Sequence, residues 1–236
     1  LPAALARALA AGVTRVVAVG GDPATNAAVL ALARSQPAVR PALGLHPERL
    51  DLTDAALEAV EAQVEAHRAE LIALGEVGLP WYGLEGRADA AALAARGRAR
   101  LARLLALAAR LDLPVSLHAP HGAAAEALEL LSRAGGRPAV FHWHKAEPAV
   151  TRRIVGAGHF LGVTPEVAYR ERDRALVRAV PLSQLVAESD GPWPYRGRRG
   201  EPAMVAGVTA AIGELRGLAL HEVIAALADN AQRAFT

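Results

Sequence analysis

The feature that most constrains this chain is an alternation. Seven short apolar runs of strand character, at 14–19, 38–45, 71–77, 114–118, 138–143, 159–163 and 184–189, are separated by amphipathic stretches of helical length. The spacing predicts helices over 1–11, 24–35, 55–69, 89–111, 122–134, 147–157 and 167–180, with Asp89 as an N-cap, and two closing helices over 204–216 and 221–234. Strands that alternate with helices form βαβ units and a parallel sheet. A TIM (β/α)8 barrel has eight strands and opens on one, whereas this chain opens on a helix and offers seven. The expected fold is therefore α/β, a TIM (β/α)8 barrel with its first strand missing, upstream of Leu1. Residues 1–236 then form a single domain, incomplete at its N-terminus. The competing arrangement is an open doubly wound sheet, which accepts seven strands without a lost one.

The positions of polar residues favour the barrel. Five predicted strands end in a residue that binds metals or carries protons: His46, Glu76, His118, His142 and Asp190. All stand at C-terminal strand ends, where barrel enzymes build their sites. Alternation puts His118 on the face of Ser116, His142 with Val140, Glu76 with Ile72 and Leu74, and Asp190 with Val186 and Glu188. Glu76, His118, His142 and Asp190 offer imidazole and carboxylate donors without thiolate, a set that suits a divalent cation. Singly, each has a plainer reading: a core histidine bonded to a carbonyl, a partner for a helix N-terminus, an Asp-Gly-Pro turn. As a set they point to ligation. His46, in Gly-Leu-His-Pro-Glu, is open between a site residue and a helix start. His121 and His144 read as rim residues, and His67, His159 and His221 as surface or element-terminal ones.

Composition narrows the setting. Hydrophobic residues make up 53% and charged residues 21%, enough to bury a sizeable core and too apolar for disorder. No apolar run reaches the roughly 18–20 residues of a membrane span, so no membrane partner is expected. The absence of cysteine excludes disulfides, thiolate zinc sites and a cysteine nucleophile, and fits a cytoplasmic location. Net charge is only +2, and Lys145 is the sole lysine, so the positive charge is almost all arginine. Contact with a polyanion must therefore be local.

Five segments, Ala42–Pro47, Ala73–Leu79, Pro114–His118, Val140–Trp143 and Leu185–Pro192, together with the ending Asn230–Phe235, resemble in order the TatD family. These are metal-dependent deoxyribonucleases of the amidohydrolase superfamily, built on a TIM barrel. The resemblance implies that Glu76 lies between two metal ions, that His118 and His142 are imidazole ligands, and that Asp190 holds a metal and the attacking water. It puts His46 beside the substrate phosphate, and Arg196 and Arg198, in the basic stretch from Arg196 to Glu201, in contact with phosphate. Three departures stand out. The family's opening His-x-His is absent from this sequence, Pro80 replaces a usual Asp, and His144-Lys145 replaces a usual Ser-Gly turn.

The expected activity is hydrolysis of DNA phosphodiester bonds with one or two divalent ions, Mg, Mn or Zn. Asp190 and Glu76 are the catalytic carboxylates. The substrate is a nucleic acid read as single strands or ends, since no recognition helix is present. Trp81, Tyr82, Trp193 and Tyr195 are candidate platforms for bases, and no obligate protein partner is evident. Two alternatives remain open at this level: a hydrolase of the same superfamily acting on a small amide, lactone or phosphoester, and a non-catalytic barrel with an incomplete metal site.

Overall fold

The computed structural model describes residues 2–236. After helix α1 (Pro2–Ala10), strands and helices alternate: β1 (Val16–Val19), α2 (Pro23–Ser35), β2 (Val39–Leu43), α3 (Asp54–Ala66), β3 (Ala73–Gly78), α4 (Ala90–Arg110), β4 (Val115–His118), α5 (Ala123–Ala134), β5 (Ala139–His142), α6 (Pro148–Gly156), β6 (Phe160–Val163), α7 (Glu171–Ala179) and β7 (Leu185–Ala187). A two-stranded ribbon, β8 (Pro194–Tyr195) with β9 (Arg198–Arg199), and helices α8 (Val205–Arg216) and α9 (Leu220–Phe235) complete the chain. The stretch expected as one helix over 167–180 is divided. A single 3-10 turn at Pro165–Ala168, capped by Thr164, precedes α7.

The seven main strands are parallel and neighbour one another in chain order, β1 through β7. A doubly wound sheet reverses its order at a switch point, and this one does not, which removes that alternative. The sheet curls as in a TIM barrel. Among the described residues no ladder joins β7 to β1, and this opening is where the eighth strand of a (β/α)8 ring sits. Val19 on β1 is accordingly exposed.

Two apolar layers hold the sheet. Outside it, Leu43, Leu74, Val115, Leu117, Phe141, Leu161 and Leu185 pack against Leu57 and Val60 of α3, Leu101, Leu104 and Leu105 of α4, Ile154 of α6 and Ile212 of α8. Inside, Val140, Phe160 and Val186 close the floor of the ring against Ala234 and Phe235 of α9. At roughly 25 cal/mol per Å2 of apolar surface, each buried leucine contributes about 2 kcal/mol. With the floor filled by apolar side chains, the candidate metal-binding residues stand at the C-terminal rim.

Candidate metal centre

Glu76 stands at the middle of that rim. Its strand pairs with β4 through Leu74–Val115 and Val77–Leu117, with a register shift between the two pairs. Leu74 and Val77, three residues apart, consequently both face the helices. The shift turns Glu76 into the ring, so it does not share the orientation of Leu74 that simple alternation predicts. His118 and His142 end β4 and β5 as direct register partners. They lie on the faces of Ser116 and Val140, as their parity requires.

The resulting cluster is tight. Glu76 is buried, at 7% exposure. Its Oε1 accepts a 2.9 Å hydrogen bond from His118 Nδ1 and lies 3.6 Å from His46 Nε2 and 4.0 Å from His142 Nε2. Asp190 Oδ1 is 3.3 Å from His142 Nε2. Thus the fold brings together five of the seven candidate residues, His46, Glu76, His118, His142 and Asp190, and ligand atoms of His46, Glu76 and His118 all fall within 4.8 Å of one another. Arg196 and Arg198 lie apart. Both belong to the exposed β8–β9 region, and the Arg196 guanidinium sits over the Tyr169 ring at 4.2 Å. Among the described residues neither hydrogen-bonds to the cluster.

A second set of side chains fixes the first. Glu188 accepts from His142 Nδ1 at 3.0 Å and from the Trp143 backbone N–H at 2.5 Å, which leaves His142 Nε2 aimed at Glu76 and Asp190. A Cβ on Gly162 would overlap the Glu188 carboxylate, so only glycine leaves room for it. Glu48, absent from the expected set, accepts from the backbone N–H groups of Trp81, Tyr82 and Gly83 at 2.8–3.0 Å and lies 3.4 Å from His118 Nε2. Its only signal in the sequence is its place two residues beyond His46. Asn26, fully buried on α2, bonds both backbone groups of Gly44, with Nδ2 to the carbonyl at 3.1 Å and Oδ1 from the N–H at 3.2 Å. It carries the pairing past the end of β2 to the segment bearing His46 and Glu48. α2 itself starts well, with Asp22 and Thr25 forming a capping box and Pro23 in its first turn.

Two expectations are corrected. His144 is not at the rim. It is buried, its Nε2 meets Thr151 Oγ1 at 2.8 Å, and burial, with Arg172 nearby, pushes its pKa down to about 4. Tyr195 is 4% exposed and cannot stack a base, unlike the exposed Trp81, Tyr82 and Trp193. His159 ends an element as expected but is buried beneath β5, where its Nδ1 accepts from the Ala139 N–H at 3.2 Å.

The electrostatics suit a cation. Burial pushes the Glu76 carboxyl up, but His142, the His118 hydrogen bond and His46 outweigh burial and hold it at about 2. Burial lowers His118 and His142, yet adjacent carboxylates prevail, Glu48 and Glu76 raising the former, Glu188 and Glu76 raising the latter well above its ordinary value. Four carboxylates (Glu48, Glu76, Glu188 and Asp190) therefore converge on three imidazoles. His118 donates through Nδ1, and its buried Nε2 has no hydrogen-bond partner, an orphaned nitrogen of the kind a metal ion would satisfy. His46 differs. Its Nδ1 accepts from the Glu48 N–H at 3.3 Å, so its proton resides on Nε2 and faces the site. The donors present fit a divalent ion.

The family model described as TatD related DNase matches residues 1–236. A relative from Mycobacterium tuberculosis, named an uncharacterized metal-dependent hydrolase TatD, is 36% identical, with 97% of this chain and 88% of the relative covered. The uncharacterized metal-dependent hydrolase YjjV of Escherichia coli is 32% identical over 99% of this chain and 90% of its own length. Its crystal structure superposes with a TM-score of 0.88 over 99% of this chain and 91% of that one. The human protein named deoxyribonuclease TATDN3 is 29% identical, covering 84% of this chain and 74% of the relative.

Proposed function

The chain belongs to the TatD-related DNase family of metal-dependent hydrolases, and from that premise we propose that it cleaves phosphodiester bonds of DNA. The observation that carries this reading is the buried Glu76 carboxylate ringed by three imidazoles, one of which, His118, bonds it through Nδ1 and keeps its buried Nε2 without a hydrogen bond, 3.4 Å from Glu48. Residues 1–236 act as one metal-dependent hydrolase domain. Glu76, His118, His142 and Asp190 would hold one or two divalent ions, and the donor set admits Mg, Mn or Zn. An ion so held supplies Lewis acidity to a phosphoryl oxygen and acidifies an attacking water.

The remaining steps fall to side chains. Asp190 accepts the water's proton, and Glu188 keeps the neighbouring imidazole of His142 in its working orientation. His46 Nε2–H donates to a non-bridging phosphate oxygen, the role its tautomer allows. Arg196 and Arg198 attract the strand from their exposed ribbon, and Trp81, Tyr82 and Trp193 stack its bases, an arrangement for single strands or ends. No single helix is long and apolar enough to cross a membrane. With no cysteine in the chain, a cytoplasmic location is consistent.

End-labelled single-stranded oligonucleotides incubated with Mn2+ test the reading. Shortened products are expected, lost on chelation and reduced roughly 100-fold or more in Asp190→Asn. Inactivity on DNA alongside hydrolysis of lactones or amides would overturn it.

A further inference from the structure

Lys145, the only lysine in the sequence, occupies an unusual position. Its Nζ lies 3.6 Å from the centroid of the Trp143 ring and 5.7 Å from that of Tyr82, and donates to the Tyr82 hydroxyl at 3.3 Å. Both rings border the metal centre, for Tyr82 packs 6.3 Å from His118 and Trp143 lies 6.4 Å from His142. The Trp143 platform is itself fixed. Its Nε1 donates to Glu166 at 3.3 Å, and Trp193 and Tyr195 pack against it at 5.5 and 5.8 Å.

Two arginines near this rim are held by carboxylates: Arg172 spans Glu166 and Asp173, each at 2.8 Å, and Arg49 holds Asp22 and Asp51. Lys145 has no carboxylate within ion-pair distance among the described residues. An ammonium carries three donors, and only one is used here. Cation–π contact fixes the charge without consuming its remaining hydrogen-bonding capacity.

We propose that Lys145 grips a substrate phosphate at the mouth of the site, that of the nucleotide next to the cleaved bond, and so selects oligonucleotides over diesters that carry a single phosphate. This inference rests on the phosphodiesterase reading. The aromatic walls leave the ammonium partly desolvated, which strengthens its pairing with an anion that replaces water.

Because Lys145 is the only lysine, reductive 13C-methylation gives it a single ε-dimethylamino resonance, distinct from that of the terminal amine. In EDTA, where no turnover occurs, that resonance should shift saturably with a 5′-phosphorylated dinucleotide and stay unmoved with the unphosphorylated nucleoside. In steady-state assays on metal-loaded protein, Lys145→Met should raise KM for an oligonucleotide about tenfold more than KM for a small diester, with kcat less affected. The slope of log KM against log salt should fall by about 0.7. Lys145→Arg should recover most of the loss. A resonance indifferent to the dinucleotide, or equal KM changes for both substrates, would overturn the proposal. Failure to cleave either substrate while the resonance still responds would leave Lys145 as a phosphate grip and remove the hydrolytic reading instead.

Discussion

Asn26→Ala tests whether the site depends on support far from its donors. The side chain is fully buried and bonds the N–H and the carbonyl of Gly44, two residues before His46, while also donating to Gln63 Oε1 at 3.1 Å. Truncation leaves both Gly44 groups unpaired in a site where the backbone of Glu76 packs closely against Gly44. An unsatisfied buried backbone group costs roughly 1–3 kcal/mol. With two such groups, and some relaxation, the loss should be about 3 kcal/mol. For a chain of this size that lowers Tm by roughly 6–12 °C. Mn2+ affinity should fall as well, because the segment carrying His46 and Glu48 is no longer held to α2. Thermal melts followed by circular dichroism, paired with calorimetric Mn2+ titration below the new Tm, read both effects. A Tm within 1 °C of the parent, or an unchanged Mn2+ affinity, refutes the reasoning.

Two further outcomes follow from neighbouring contacts. Gly162→Ala forces the Glu188 carboxylate away from His142, and by analogy with other supports of metal-binding histidines Mn2+ affinity should drop roughly 10–100-fold in calorimetry. Burial lowers the pKa of His159, so its neutral form is the one the fold accepts, and its Nδ1 must stay unprotonated to receive the Ala139 N–H. Its contribution to stability is complete above its unfolded pKa near 6.5 and is lost as pH falls from there through the folded value. Titration of the other histidines is common to parent and variant, so the Tm gap between parent and His159→Leu should narrow from pH 7.5 to 5.5; a constant gap would contradict the assignment.

The sequence made the scaffold legible because periodicity and burial agree along most of the chain. Val115, Leu117 and Phe141 face the helices while His118 and His142 do not, as alternation requires. Alternation failed wherever the backbone left ideal extension. At β3 the register shift sends Leu74 and Val77 to the same side, and Glu76 reaches the centre for a reason that no residue pattern displays. After β5, Trp143 takes a left-handed conformation at φ 38°, uncommon for a bulky residue. The chain turns there, and His144 passes into the core beneath α6. Glu48 was hidden differently, since its carboxylate binds a turn 33–35 residues further on. The family resemblance directed attention to Arg196 and Arg198, whereas the cation held between two aromatic rings beside the centre is the solitary Lys145.

The account stands on a divalent ion being held between Glu76 and its imidazole neighbours. Anomalous diffraction from crystals soaked in Mn2+ measures this directly. A peak adjoining the Glu76 carboxylate together with His118 or His142 is the predicted result. Manganese found only at surface carboxylates, with no density beside Glu76, would contradict it.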